Sequence, residues 1–388
     1  MERCFRALAV VLLVSGLSAC SLFSSEEEVV KTPKALKPLQ GEVVTLTKVW
    51  SKSLGDKAEE GHGNLRPTIE GDAIYAVGAA GTVIAVDRKT GKDIWRRKLE
   101  NIRVSGGLTV RGGRVLLGTL NGDVIALSQK DGSELWRARV SSEVLSAPAS
   151  DGFTVLVKSI DDKLTALDAE NGKVLWTQSA LQPALTLRGA SAPVIEGEAA
   201  LAGYAGGEVK AFRLESGVPL WEARVATPKG SSELERMVDI DTTPLIVGDT
   251  MFVASYQGNV AALDLYRGRL KWSKEMSSYR SLAEGFGSLY VTDQDSYVSS
   301  LDQRTGASSW QQKDLEYRDL SAPATFGNYV VVGDYEGYIH LLSQVDGSMV
   351  GRYHVGSSAI EAQPVVDGDR VYIQTVNGKL VALSMKKQ

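Results

Sequence analysis

The stretch GTVIAVDRKTGKDIW, Gly81–Trp95, returns along the chain in the same frame. Its copies are GDVIALSQKDGSELW (Gly122–Trp136), DKLTALDAENGKVLW (Asp162–Trp176), GEVKAFRLESGVPLW (Gly207–Trp221), GNVAALDLYRGRLKW (Gly258–Trp272) and SYVSSLDQRTGASSW (Ser296–Trp310). Each has a glycine four residues before the tryptophan, at Gly91, Gly132, Gly172, Gly217, Gly268 and Gly306. A further copy, GYIHLLSQVDGSMVG, keeps Gly347 but carries Gly351 at the tryptophan position, and GKLVALSMKKQ runs out at the end of the chain. The strand missing there has a counterpart near the start, VVTLTKVWSKSL, which contains Trp50. All seven tryptophans of the sequence are then in frame.

Each unit reads as four short antiparallel strands. Pro148, Pro193 and Pro323 follow small residues and open an innermost strand, where a missing N–H removes no ladder bond. Glycine turns such as Gly71-Asp72 and Asp151-Gly152 lead into alternating strands like Ile74-Tyr75-Ala76-Val77. A third strand ends in a small residue beside a larger one, as in Ala85-Val86 and Ala166-Leu167. The Thr-Gly or Asn-Gly turn after it gives an outer strand whose tryptophan always faces the same side. A lone sheet of this size cannot bury both faces, so the units stack on one another. An indole that buries about 150–250 Å² suits the wedge between them. Repeats that share their last sheet between the two termini close into a ring and leave no open end. The sequence therefore predicts an all-β fold, an eight-bladed β-propeller of four-stranded antiparallel blades over residues 43–388, closed by pairing the N- and C-terminal strands.

Composition narrows the function. The 388 residues are 43% hydrophobic and 23% charged, with 43 basic against 47 acidic side chains. That balance offers no basic stripe of the kind nucleic acid needs, so no nucleic-acid partner is expected. Both cysteines, Cys4 and Cys20, precede the repeats, which leaves the body without a disulfide, a thiolate metal site or a cysteine nucleophile. His62, His340 and His354 have no metal-ligand spacing and read as ordinary strand positions, and Asp87, Asp168, Asp264 and Asp302 recur as turn caps. No catalytic residue, metal or cofactor is expected.

Residues 1–19 carry Arg3 and Arg6 before an apolar run, Ala7–Val14, too short to span a bilayer. Leu17-Ser18-Ala19-Cys20 resembles the lipobox of bacterial lipoproteins, which implies cleavage before Cys20 and acylation of that residue. Several acyl chains anchor stably where one does not. Ser21 stands where that family places an inner-membrane retention aspartate, so the resemblance implies the periplasmic face of the outer membrane. Residues 20–42 mix Ser, Glu, Lys and Pro without a period and read as a flexible tether with a span of roughly 25 Å.

The residues after the tryptophans are never aspartate, and Gly-His occurs only at Gly61-His62, outside the frame, so the repeat is not of the WD type. The pattern A-x-D-x-x-T-G-x-x-x-W is similar to the tryptophan-docking repeat of pyrroloquinoline-quinone (PQQ) dehydrogenases. Those enzymes hold the cofactor between a cysteine pair and a tryptophan beside Ca²⁺, and this body has neither the cysteines nor a spare tryptophan. Lipobox, tether and repeats together resemble the family of outer-membrane protein assembly factors known as BamB. The resemblance implies a non-enzymatic periplasmic scaffold that binds the polypeptide-transport-associated (POTRA) domains of BamA and assists nascent outer-membrane proteins. A holder of nascent strands by β-augmentation and a PQQ-dependent dehydrogenase are the other readings.

Three tryptophan intervals exceed the rest, and all three lengthen the connection from an outer strand to the next blade's inner strand, gathering the extra residues on one face of the ring. One insertion, LQPALTLRGASAP, places Leu185, Leu187 and Arg188 off-frame. Such a trio suits a hot spot, and the leucines would equally suit a plug for the ring's centre. The next, ATPKGSSELERMVDIDTTP, places Asp239 and Asp241 on alternate residues. These suit pairing with Arg188, with a partner's basic group, or with turns near the channel. The family resemblance assigns all five to the BamA contact.

Overall fold

Asp87 shows how each outer hairpin is made. Its carboxylate accepts hydrogen bonds from the Lys89 and Thr90 amides and the Thr90 hydroxyl, at 3.1, 2.7 and 2.7 Å. Gly91 closes the turn with φ +69°, a region open to glycine at little cost. Asp168, Asp264 and Asp302 cap the equivalent turns in the same way. Past each turn the outer strand bulges once against the third strand, and the tryptophan lands opposite the small residue: Trp95 on Ala85, Trp136 on Ala126, Trp176 on Ala166. The small residue of the third strand is thus the space in which the indole lies.

The computed structural model describes residues 31–39, 44–55, 65–189 and 191–386. From Pro33 onward the chain is one unit. Among the described residues there are eight four-stranded antiparallel sheets and no helix. Blade one runs from Thr68–Glu70 to Asp93–Lys98, blade four from Val194–Glu196 to Pro219–Arg224, and blade seven from Ala324–Phe326 to Met349–His354. Blade eight combines Val365–Asp367, Arg370–Gln374 and Lys379–Met385 with the N-terminal strand Leu46–Ser53. In that last pair Trp50 lies opposite Ala382 and Lys52 opposite Leu380.

The core is a set of joints between blades. Trp95 and Tyr75 of blade one pack with Leu117 and Ile125 of blade two. Similar clusters join each later pair, and Trp50 and Tyr372 of blade eight pack with Ile74 and Ile84 of blade one. Every tryptophan also donates its indole N–H to a carbonyl in the next blade's outer turn, from Trp50 to Arg88 (3.1 Å) round to Trp310 to Gln344 (3.0 Å). The turn glycine lies flat on the ring, so close that a Cβ on Gly172 would sit 2.6 Å from Trp136.

Gly351 is the instructive exception. The turn on which its tryptophan would dock is absent, because in blade eight the third and fourth strands are the two chain termini. The Val44 carbonyl fills that place, 2.7 Å from where a Cβ on Gly351 would be, and Gly351 faces Leu341 where the other blades put a small residue. Large and small exchange strands, and the volume is kept.

The tether differs from expectation. Residues 34–37 lie against blades six and seven: the Lys34 amide donates to the Glu316 carbonyl (2.9 Å), and Leu36 packs on the core between those blades. Flexible composition gives way here to backbone groups that find partners.

Candidate functional site

Two long connections between blades, 180–193 and 225–244, share one face of the ring. They touch. Asp239 is buried (2% exposed), and its carboxylate accepts from the Leu187 amide at 2.5 Å and the Gly206 amide at 3.4 Å. Its own carbonyl accepts from the Tyr256 amide at 2.9 Å. One aspartate therefore fastens the 180–193 loop to two neighbouring blades. Ser191 adds a second tie, donating to the Thr242 carbonyl at 2.8 Å. Gly189 lies so close to the Asp241 carboxyl that a Cβ there would meet it at 2.7 Å.

Beneath the loop is a polar platform. Lys158 and Asp162, each 3% exposed, form an ion pair at 2.5 Å, with the ammonium 4.7 Å above the Tyr204 ring. A cavity of about 10 Å³, room for about one water, lies between these groups, Leu187, Asp239 and Asp241. Burial pushes the Asp239 carboxyl up, and burial together with the neighbouring Asp239 charge pushes Asp241 up to about 7. One ammonium thus faces three carboxyl groups, and a low local dielectric keeps one of them from ionising easily.

The loop above is open. Leu185 is 42% and Leu181 95% exposed. Arg188 is exposed, and among the described residues it pairs with neither aspartate. An Arg188–aspartate pair, one of the arrangements the sequence left open, is therefore not what holds the loop; a main-chain amide takes Asp239 instead, because the loop turns its backbone inward. Nor do the leucines plug the ring. Leu187 reaches only the small cavity, while the axial channel of about 620 Å³ is lined by innermost-strand residues such as Thr68, Ala149 and Val194. Cys20 lies outside the described residues. Among the described residues no three His, Cys, Asp or Glu side chains are grouped to hold a metal.

Sequence reasoning missed Lys158, Asp162 and Tyr204. Lys158 ends a strand of blade three, Asp162 lies in the turn after it and Tyr204 ends a strand of blade four; the one local signal was the charge of Lys158 on an otherwise apolar strand. His340 was misjudged as well. It is fully buried in blade seven, with Nε2 2.9 Å from the Asp334 carboxylate, and that carboxylate pairs with buried Arg318 at 2.8 Å.

The family model of the outer membrane protein assembly factor BamB matches residues 34–114, 79–312 and 294–387. The chain belongs to the BamB family. It is 48% identical to the outer membrane protein assembly factor BamB of Pseudomonas aeruginosa over 98% of each chain. Its identity to the Escherichia coli BamB is 36%, over 96% of this chain and 97% of that one. Among solved structures, BamB from Moraxella catarrhalis superposes with a TM-score of 0.81 at 28% identity, over 88% of this chain and all of that one. A quinohemoprotein alcohol dehydrogenase from Comamonas testosteroni shares the fold alone, at 13% identity and a TM-score of 0.69. The BamB relatives are named for outer-membrane protein assembly, whereas the dehydrogenase is a likeness of fold only.

Proposed function

We propose that the chain is a non-enzymatic scaffold of the outer-membrane β-barrel assembly machinery, held at the periplasmic face of the outer membrane by acylated Cys20. Its 180–193 loop docks on the POTRA domains of BamA. The observation that carries this reading is the Asp239–Leu187 bond. It presents Leu185 and Arg188 outward on a backbone already fixed, so little conformational entropy is lost on docking. Leu187, Asp239 and Asp241 belong to the same contact as its support. Replacing Arg188 by Glu together with Leu187 by Ala is expected to abolish co-purification with BamA while folding stability stays within about 1 kcal/mol. Undiminished co-purification would refute the assignment.

A second reading has its own observation. The residue just before the tryptophan is apolar and roughly half exposed on the outer strands of blades one to four: Ile94, Leu135, Leu175 and Leu220. Outer strands keep a free hydrogen-bonding edge, so these blades suit addition of a nascent outer-membrane strand. Photocrosslinkers at those positions should capture unfolded barrel substrates, and labelling no stronger than at Lys271 of blade five would reject it. Quinone chemistry is not part of the proposal: adding PQQ and Ca²⁺ to the purified chain should give no dehydrogenase turnover.

A further inference from the structure

The segment Pro33–Leu39 binds the ring through both main-chain and side-chain groups. Lys34 donates its amide to the Glu316 carbonyl at 2.9 Å and its ammonium to the Lys313 carbonyl at 3.1 Å. Lys37 pairs with Asp314 at 2.9 Å. Between the two lysines Leu36 enters the core between blades six and seven, beside the fully buried Leu315 and Leu320.

The ring side of this contact is built from buried charge. Arg318, 2% exposed, directs Nε and Nη2 at the Asp334 carboxylate and Nη2 also at Glu336. Its Nη1 donates to the Lys34 carbonyl at 3.0 Å. Arg352 donates Nε to His340 Nδ1 at 3.3 Å and Nη1 to the Lys37 carbonyl at 3.1 Å. The Arg352 bond assigns the His340 proton to Nε2, where Asp334 accepts it. A buried guanidinium needs partners for its donors; among the described residues the Nη1 of buried Arg318 and that of half-buried Arg352 are each met by a carbonyl of the N-terminal segment. The cluster is thus a receptor for main-chain oxygens, and His340, Asp334 and Glu336 hold the two arginines in place.

We infer that Pro33–Leu39 is a strap that fixes where the N-terminal arm leaves the ring. The exit lies on the connection between blades six and seven. That connection, like the 180–193 loop, runs from an outer strand to the next inner strand, so strap and candidate docking loop share one face. Resting on the reading of Cys20 as the acylated residue, the strap leaves at most about 45 Å of extended chain between lipid and ring. It holds the blade six–seven rim nearest the bilayer and keeps the opposite rim, at blades two and three, away from it.

The test uses the acylated chain on vesicles of phosphatidylethanolamine and phosphatidylglycerol. An acylated Cys20 leaves the mature chain without a free thiol, so a single introduced cysteine labels one place. A fluorophore at Lys313→Cys, near the strap, should be quenched by lipid-borne quencher more strongly than one at Ser141→Cys, across the ring. Leu36→Asp with Lys37→Glu should release the strap and erase that difference. The same pair should speed hydrogen exchange of the Lys34 amide about tenfold or more, the change expected on losing the packing of one partly buried leucine. Exchange equally fast in both forms overturns the strap; a slow Lys34 amide with equal quenching at the two sites overturns its orienting role. Failure of every form to bind vesicles instead refutes acylation of Cys20, and the exchange rates still decide the strap.

Discussion

Replacing Trp136 by alanine tests whether the indoles are the joints of the ring. Trp136 is 8% exposed, packs with Val155 and Leu167 of blade three, and donates to the Ala169 carbonyl at 2.9 Å. Truncating a buried aromatic costs about 3–5 kcal/mol. The Ala169 carbonyl left without its donor adds about 1 kcal/mol. Trp136→Phe keeps most of the apolar volume and loses the hydrogen bond, so it should cost only about 1–2 kcal/mol. The two variants should separate by roughly 3 kcal/mol in equilibrium urea unfolding followed by tryptophan fluorescence and circular dichroism. With the slope expected for a body of this size, the alanine midpoint falls by about 1 M or more. Both probes should move together, since each blade is buried against two neighbours and none can detach alone. Alanine and phenylalanine variants within about 0.5 kcal/mol of each other would refute the idea that the indole joins the blades.

Other outcomes follow from the same geometry. Gly351→Trp, which restores the repeat consensus, should destabilise by about 2 kcal/mol or more, because Val44 occupies the socket; an unchanged urea midpoint would contradict that. Asp239→Ala leaves the Leu187 amide without an acceptor, so that amide should exchange at least about tenfold faster while the ring loses about 1–3 kcal/mol. Because folding raises the Asp241 carboxyl to about 7, the native state binds more protons than the unfolded chain between pH 4 and 7, and stability from this group falls as pH rises through that window. Asp241→Asn should remove that slope and stabilise the protein more at pH 8 than at pH 5, read from paired melts. His340→Leu removes the acceptor of Arg352 Nε and one partner of Asp334 Oδ2, which keeps Arg318, and should destabilise by about 1–3 kcal/mol, whereas His354→Leu, on an exposed strand end, should change little.

The ring was legible because its determinants are local and repeated. An aspartate, a glycine and a tryptophan at fixed offsets specify a turn and a wedge, and Gly351 marked in advance the one joint that is made differently. The loops at 180–193 and 225–244 were legible only as departures from that frame. Spacing could place Leu185 and Arg188 off the repeat, but not reveal that Asp239 faces the Leu187 amide rather than Arg188, since two loops some fifty residues apart choose their contacts only when adjacent blades meet. The strap was hidden for a related reason. Lys34, Leu36 and Lys37 sit in a Pro- and Lys-containing segment with no period, and what orders them is a buried arginine nearly three hundred residues away. Arg318 and His340 carried no local sign of their partnership either.

Pairing the strand around Trp50 with the strand around Ala382 has a consequence for how the molecule comes into being. A chain made from its amino end produces the eighth blade's outermost strand first and the neighbour it needs last. Seven sheets can assemble from segments close in sequence, but the final seam must wait for the whole polypeptide. Until then the early strand stays unsatisfied, which makes closure the slowest step available to the fold and the interval before it the period of greatest exposure to misassociation.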